Sequence, residues 1–240
     1  MEGVTTMESV NDKKILTKYI SSFLLGDGGL SRLSRANPNP ENKYLKKINS
    51  KYYIKQRDDH EDYIVWQMNI LQNITTATYV HTESYIDKRG YECRGQFSLS
   101  SRNHPFFTDM RNRLYPNNIK CLDPHYFSLF DWESLAIFYM DDGWIENNLT
   151  KRTGIYTRVA IASHSYSYIE NKFFRDFVAE KFKVHFDVKQ HKSKTGNIHY
   201  YLRCSKDNAK RFIDGVGRYI LPSYKYKIDS TRLSPLICGG

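Results

Sequence analysis

Cysteine is scarce and widely dispersed in this sequence. The 240 residues contain four cysteines, at positions 93, 121, 204 and 238, and none of them has CxxC or CxxH spacing. Zinc sites and disulfide frameworks both need cysteines in closer or more regular groups. The pattern therefore argues against both, and we expect reduced, buried thiols.

The sequence also has no long apolar run and no leader-like start. Its longest apolar run, Leu135–Met140, is far shorter than the roughly 20 residues that span a bilayer as a helix. Its first residues are polar and of mixed charge, without the basic and then apolar regions of a secretory signal. We expect an intracellular protein that does not span a membrane, in an organelle or in a prokaryotic or phage-infected cytoplasm.

The composition is that of a globular, basic protein. Hydrophobic residues make up 40% of the chain and aromatic residues 15%, which excludes disordered and low-complexity classes. The 36 Lys and Arg residues exceed the 26 Asp and Glu residues, so the formal net charge is +10. A polyanion, either nucleic acid or an acidic membrane surface, is the expected partner.

The charge is distributed unevenly along the chain. Residues 183–227 contain eleven basic residues against three acidic ones, and residues 28–57 contain eight against one. Residues 121–150 contain six acidic residues and no Lys or Arg. The two basic stretches lie in strand-rich regions, and strand ribbons can enter the DNA major groove.

A weak internal repeat divides the chain. Residues 12–28 and 131–143 both have a helical apolar pattern that ends in a carboxylate and a glycine, with Asp27 and Asp142 in corresponding places. The glycine that ends the second pattern, Gly143, suits the left-handed position that follows many helices. The 115-residue spacing of the two aspartates predicts two related halves.

The fold class predicted for these halves is α+β with antiparallel sheets. In each half the predicted order of elements is helix, two strands, helix, two strands, helix. The first half is predicted to have strands near 30–35 and 51–57, a helix at 60–72, a hairpin turning at 88–90 and a helix at 104–114. The second is predicted to have strands near 144–149 and 155–163, a helix at 165–182, a hairpin turning at 194–197 and a helix at 205–216. The expected domains are residues 1–115, a linker at 116–130, residues 131–220 and a tail at 221–240.

The two repeated aspartates predict a metal site. A carboxylate at a helix C-terminus faces the negative end of the helix dipole, and a second carboxylate beside it adds repulsion. A divalent cation between them removes both problems, and all-oxygen ligands suit magnesium. The candidate metal-site residues are Asp27, Asp142 and the residues that precede them, Gly26 and Asp141.

Three segments carry a resemblance to a known family. FLLGDGG at Phe23–Gly29 and LAIFYMDDG at Leu135–Gly143 resemble the two signature helices of a double-motif LAGLIDADG homing endonuclease. YILPSYKYK at Tyr219–Lys227 resembles the family's C-terminal segment, which carries an active-site lysine. The first motif departs from the pattern, since Leu25 stands where the family has its earlier aspartate.

The resemblance implies a specific architecture and reaction. It implies a monomer with two pseudosymmetric halves, paired motif helices at their interface, and two saddle-shaped sheets over double-stranded DNA. By motif position it makes Asp27 and Asp142 the essential metal ligands, with Asp141 supporting them. The implied reaction is hydrolysis of one phosphodiester in each strand with two or three Mg²⁺ ions, leaving short 3′ overhangs; Ca²⁺ is expected to bind without turnover.

Four further side chains are candidate catalytic residues. Lys227 matches the family segment, and Lys120 follows Asp27 by 93 residues much as Lys227 follows Asp142 by 85. Either lysine can instead be a plain phosphate contact. Gln56 and His164 each end a second strand and are candidates for orienting water, with a structural role as the alternative.

Target recognition is predicted to come from basic residues on strands and turns. Arginine reads guanine through two hydrogen bonds, so the arginines are favoured for base contacts. The candidates are Arg32, Arg35, Lys55, Arg57, Lys88, Arg89, Arg94, Arg152, Arg158, Lys189, Lys192, Lys194 and Arg203.

Two other functions fit the same pattern. A splicing maturase would keep the fold to bind its host intron RNA, and a regulator would bind DNA without catalysis. The presence of both Asp27 and Asp142 favours the nuclease.

Overall fold

The chain forms two compact units. The computed structural model describes residues 13–32, 49–150 and 154–229, with only the backbone described at 147–150 and 154–156. The first unit comprises the chain up to Leu24 together with Gly28–Asn112. The second comprises the segment Leu25–Asp27 and the chain from Arg113 onward.

The first unit contains an antiparallel sheet with the strand order β1-β2-β6-β3 and a separate two-stranded hairpin, β4-β5. Its helices are α1 (Lys13–Phe23), α2 (Glu61–Leu71) and α3 (Pro105–Leu114), the last of which ends in the second unit. Its strands are β1 (Gly29–Leu30), β2 (Tyr52–Arg57), β3 (Ala77–Thr82), β4 (Tyr85–Ile86), β5 (Glu92–Cys93) and β6 (Gln96–Ser101).

Strand β2 shows how the first sheet divides into two faces. Its residues alternate between buried and exposed, as a strand with one covered face requires. Tyr52, Ile54 and Gln56 face the core on the side where α2 packs, whereas Lys55 and Arg57 are exposed. The exposed side, which we call the first open face, therefore carries the basic residues of this strand.

The second unit contains an antiparallel sheet with the strand order β7-β8-β10-β9. Its helices are α4 (Pro124–Phe127), α5 (Trp132–Asp142), α6 (Tyr168–Phe182) and α7 (Asp207–Val216). Its strands are β7 (Gly143–Thr150), β8 (Gly154–Ile161), β9 (Asp187–Lys192) and β10 (Ile198–Ser205). Helices α6 and α7 pack against this sheet.

The register of these strands defines a second open face. Leu202 and Cys204 of β10 are buried, so the alternate residues Tyr201 and Arg203 lie on the other side. Arg203 pairs with Ala160, which pairs in turn with Trp144, so these residues share that side. We call it the second open face.

Helix α5, which carries the second motif, is buried along most of its length. All residues from Ser134 to Met140 are buried. The helix begins with a capping box, in which Asp131 and Ser134 each accept a hydrogen bond from the other's backbone N–H. At its other end the helix leads directly into β7, so Asp141 and Asp142 lie where a helix meets a strand.

The predicted α+β fold with antiparallel sheets is confirmed, but two local predictions are wrong. Gly143 is not left-handed, since its φ of −89° and ψ of 154° are those of the first residue of β7. Glycine is needed there for space, because an added Cβ would lie 1.9 Å from the Tyr139 ring. Among the described cysteines, which are all free, Cys204 is buried, but Cys93 and Cys121 are half-buried and not fully enclosed as predicted.

Other predicted elements are found with shifted ends or lie outside the described residues. The predicted linker at 116–130 contains a 3-10 turn at Pro116–Asn118 and the short helix α4.

Within the residues that the structure describes, no helix is long and apolar enough to cross a membrane.

Candidate active site

The short segment Leu25–Asp27 follows the first motif helix and is held by side chains of the second unit. The Tyr166 hydroxyl donates a hydrogen bond to the Leu25 carbonyl at 2.7 Å, and Lys120 Nζ donates one to the Gly26 carbonyl at 2.6 Å. The backbone N–H of Asp27 donates to the Asp141 carboxylate at 3.1 Å. Three consecutive residues are thus fastened to the unit that contains the second motif.

Gly26 allows this segment to approach α5. A Cβ added at Gly26 would lie 2.4 Å from both Cβ and Oδ2 of Asp141. A glycine is therefore required for the Asp141 carboxylate to reach the Asp27 N–H. In this structure Gly26 and Asp141, two of the predicted metal-site residues, shape the position of Asp27.

Asp142 is the last residue of α5, and its environment disfavours a negative charge. Burial, together with the charge of Asp27, raises the pKa of the Asp142 carboxyl to about 7, although Lys120 and Lys227 act in the opposite direction. Asp27 is exposed. The structure thus brings the two predicted metal ligands close enough for the charge of Asp27 to affect Asp142.

Each of the two predicted lysines bonds to backbone carbonyls next to one of these aspartates. Lys120 bonds to the Gly26 carbonyl, as described above, and Lys227 Nζ donates to the carbonyls of Met140 at 2.5 Å and Asp141 at 3.1 Å. The last carbonyls of a helix have no partner within the helix, so Lys227 also caps α5. Burial lowers the pKa of Lys120, while the charges of Asp142, Asp141 and Asp27 counteract the shift.

Gln56 and His164, the two candidates for orienting water, have different surroundings. Gln56 belongs to the first unit, where its side chain is on the covered face of β2 and only 8% exposed. His164 is exposed and follows β8, with its ring 5.5 Å from His199 and 6.4 Å from Tyr201. Burial, His199 and His191 together lower the pKa of His164.

The predicted DNA-contacting residues that the structure describes in the first unit are exposed, and Arg57 and Arg89 are paired with nearby carboxylates. Arg57 bonds to Asp59 at 3.1 Å, and Arg89 bonds to Asp87 at 2.8 Å. The exposed members of the set are Arg32, Lys55, Arg57, Lys88, Arg89 and Arg94. Arg35 lies outside the described residues.

Of the predicted residues that the structure describes in the second unit, Lys189 and Lys192 lie on β9, Lys194 lies in the turn after it, and Arg158 and Arg203 lie on the second open face. Arg158 is 4.0 Å from Glu146, and Lys189 is 3.0 Å from Asp187. Lys192 and Lys194 are exposed, and Arg203 is half-buried. Arg152 lies outside the described residues.

Several residues near the site were not found from the sequence. Tyr166 lies 141 residues from its partner Leu25, and Tyr139 donates from its hydroxyl to the Lys227 carbonyl at 2.7 Å across 88 residues. Such spacings leave no local pattern. Trp144 and Tyr201, whose rings lie 6.0 Å apart on the second open face, could have been found from strand alternation.

The described residues do not contain a complete metal site made of protein side chains. No group of three or more His, Cys, Asp or Glu side chains in the part of the chain that the structure describes converges as metal ligands would. Asp27 and Asp142 offer carboxylate oxygens, and an ion held by them would need further ligands from outside the chain, such as water or phosphate.

Comparisons with known proteins agree with this architecture. The family model described as the LAGLIDADG DNA endonuclease family matches residues 19–212. An uncharacterized protein of Methanocaldococcus jannaschii, MJ1098, is 24% identical over 223 residues, which are 93% of this chain and 76% of that protein.

Solved structures show the same fold at low sequence identity. The homing endonuclease I-WcaI bound to its DNA recognition sequence has a TM-score of 0.68 and 17% identity, covering 93% of this chain and 88% of that one. The LAGLIDADG homing endonuclease I-SmaMI bound to cleaved DNA has a TM-score of 0.55 and 11% identity, covering 90% and 87%. I-SmaMI on uncleaved DNA with calcium ions has a TM-score of 0.53 and 10% identity, covering 88% and 86%.

Proposed function

Because the chain belongs to the LAGLIDADG DNA endonuclease family, we propose that it is a site-specific homing endonuclease. It acts as a monomer, cleaves both strands of a long double-stranded DNA target with magnesium, leaves short 3′ overhangs, and so promotes the mobility of an intron or intein. One observation carries this proposal. The charges of Asp27 and Asp142 interact within one unit, and near each aspartate a lysine donates a hydrogen bond to a backbone carbonyl.

The donor set fits a divalent cation. Burial and the charge of Asp27 both disfavour ionised Asp142, and a cation held by the two carboxylates offsets both effects. The oxygen ligands suit Mg²⁺, which keeps several waters and accepts substrate phosphate as a ligand. When bound, such ions lower the pKa of a water molecule and neutralise charge on the phosphate oxygens.

The aspartates and the lysines of this site have separate roles. Asp27 and Asp142, with their carboxyl groups ionised, hold the metal ions. Lys120 and Lys227 present positive charge beside them, where negative charge on a phosphate increases during hydrolysis. Because burial lowers the pKa of Lys120, its Nζ gives up a proton more readily than an ordinary lysine.

The two open faces are the proposed surfaces for the target DNA. Lys55 and Arg57 on the first, with Arg158 and Arg203 on the second, supply basic side chains along exposed strands. I-WcaI is a homing endonuclease bound to its DNA recognition sequence, and its fold matches this chain. Phosphate contacts hold such a protein in register, while arginine contacts to base edges select the sequence.

Within the family, the sequence of the motifs predicts a likeness to the yeast mitochondrial omega-intron enzyme. The matches reported above are to other proteins, one of them archaeal. This narrower likeness therefore stays a prediction.

The test uses the full chain and a plasmid that carries the intronless sequence of the insertion site, taken from the DNA flanking the gene. With Mg²⁺ we expect one specific double-strand break, and Asp142→Asn should bind the target but cleave it at least about a thousandfold more slowly. Tight binding of the host intron RNA without DNA cleavage would instead support a maturase. Specific DNA binding without cleavage by the unmodified chain would support a non-catalytic regulator.

A further inference from the structure

Two buried tyrosines each fasten one part of the candidate active site. The Tyr166 hydroxyl bonds to the carbonyl of Leu25, two residues before Asp27, and the Tyr139 hydroxyl bonds to the carbonyl of Lys227 itself. Tyr166 is 4% exposed and Tyr139 is fully buried. The Tyr166 bond is buried and the Tyr139 bond is partly buried, and a hydroxyl that loses its partner in such a place is costly.

Tyr166 is itself held in place by a buried asparagine. The Asn171 amide, 1% exposed, donates to the carbonyls of Tyr166 at 3.1 Å and Ser167 at 3.0 Å. Hydrogen bonds from Asn171 therefore hold the turn between β8 and α6 where it carries Tyr166. Burial and the charge of Asp142 raise the pKa of the Tyr166 phenol, so the hydroxyl keeps the proton that it donates to Leu25.

Tyr139 is fixed by its neighbours on α7 and at the start of β7. Its ring meets Phe212 edge-on at a centroid distance of 5.2 Å, and it lies over Gly143, where a Cβ would be only 1.9 Å away. The final glycine of the motif thus makes room for this ring. The Lys227 backbone is held by Tyr139 while its Nζ reaches the carbonyls of Met140 and Asp141.

The contacts fall into two sets. Leu25, Gly26 and Asp27 are held by Tyr166, Lys120 and Asp141. The end of α5, with Asp142, is joined to Lys227, which Tyr139 holds. Each set contains one of the two predicted metal ligands, Asp27 or Asp142, together with one lysine and one tyrosine whose hydroxyl bonds to a backbone carbonyl.

We propose that Tyr166 and Tyr139 are positioning residues, each of which sets the geometry for cleavage of a different DNA strand. This rests on the proposed function, since it assigns the two sets of contacts to the two phosphodiesters. A small displacement of a catalytic group is enough to slow a reaction strongly. Loss of one hydroxyl should therefore slow one strand more than the other.

The experiment compares three tyrosine-to-phenylalanine variants on a supercoiled plasmid with one target, labelled separately in each strand. With Tyr139→Phe we expect cleavage of one strand to slow by about tenfold, so that nicked plasmid accumulates. Lys227→Met should slow the cleavage of the same strand. With Tyr166→Phe the other strand should slow by a similar factor. The matched control is Tyr52→Phe, which also removes a buried hydroxyl bond, from Tyr52 to Gln67 at 2.6 Å, and should cut both strands equally.

Hydrogen–deuterium exchange gives a readout that does not depend on activity. Tyr166→Phe should speed amide exchange in the peptide containing residues 25–28 and leave residues 225–229 unchanged, and Tyr139→Phe should do the reverse. DNA affinity in Ca²⁺ should equal that of the unmodified protein in all three variants.

The outcomes separate the two proposals. If the unmodified protein cuts both strands but the variants at positions 139 and 166 slow both equally, or slow neither, the positioning roles are wrong and the nuclease proposal stands. If the exchange rates change as expected but the unmodified protein does not cut DNA, the tyrosines hold these segments and the nuclease proposal fails. Slowing of the same strand by both variants overturns the assignment of one tyrosine to each strand.

Discussion

The Asp141 carboxylate accepts a hydrogen bond from the backbone N–H of Asp27 at 3.1 Å, across 114 residues of sequence. One motif aspartate therefore orients the backbone of the other. This contact gives Asp141 a role distinct from that of its neighbour Asp142, whose carboxyl has a pKa raised to about 7 by burial and by the charge of Asp27.

Asp141 should be important through its role as a hydrogen-bond acceptor. Asp141→Ala removes the acceptor of the Asp27 N–H, and we expect single-turnover DNA cleavage to slow by about ten- to a hundredfold, in the range of losses for residues that orient metal ligands. Asp141→Asn keeps an oxygen acceptor and should lose less. Equal losses for Ala and Asn would show that the charge of Asp141, and not its hydrogen bond, is what matters.

Gly26 should not tolerate a side chain. Gly26→Ala places a Cβ 2.4 Å from Asp141 Cβ and Oδ2, so we expect destabilisation by about 1–3 kcal/mol, as for other overpacked sites. The matched control is Gly217→Ala, whose Cβ would find its nearest atom, Ile228 Cδ1, at 3.8 Å in a helical conformation. Urea denaturation measures both variants; similar free energies of unfolding would mean that the contact with Asp141 relaxes without cost.

Asp142 should make the metal-free protein less stable at higher pH. Its folded-state pKa is raised from 3.8 to about 7, so its stabilising contribution is complete below its unfolded pKa and is lost as the pH rises through about 7. We expect the Tm in EDTA to be lower at pH 8 than at pH 5. Asp142→Asn should raise the Tm at pH 8 by roughly 5 °C and flatten the profile, because no charge is then buried.

The control for this prediction is Asp214→Asn, which changes an exposed carboxylate on α7. It should keep the pH profile of the unmodified protein. The same pH profile in Asp142→Asn and Asp214→Asn would remove Asp142 as the cause.

Calcium should permit binding of target DNA without its cleavage. Ca²⁺ accepts oxygen ligands in looser and more variable geometry than Mg²⁺, so it can occupy the carboxylates without supporting turnover. I-SmaMI has been observed on uncleaved DNA in the presence of calcium ions. Filter binding and cleavage assays in each ion check this, and equal cleavage rates in Ca²⁺ and Mg²⁺ would contradict it.

Local patterns explain which parts of the molecule could be predicted. The strand-like segment at 51–57 and the two helical patterns that end in a carboxylate and a glycine each depend on neighbouring residues, and they led to the α+β fold and to Asp27 and Asp142. The prediction for Gly143 failed because it considered helix capping, whereas the structure shows a steric requirement set by the Tyr139 ring. Contacts such as Tyr166 to Leu25 depend on how distant segments fold together, which single-sequence spacing does not reveal.

DNA affinity should fall steeply with salt, because neutralising phosphates releases counterions. The exposed Lys55 on the first open face is a proposed phosphate contact, so Lys55→Gln should weaken binding to all sequences and reduce the slope of log K against log salt by about 1. The control is Lys210→Gln on α7. Lys210 is exposed, as Lys55 is, but it pairs with Asp214 at 2.7 Å. We expect the control to keep the slope of the unmodified protein. A flat salt dependence of the unmodified chain, or equal slopes in both variants, would mean that the first open face does not contact the DNA backbone through Lys55.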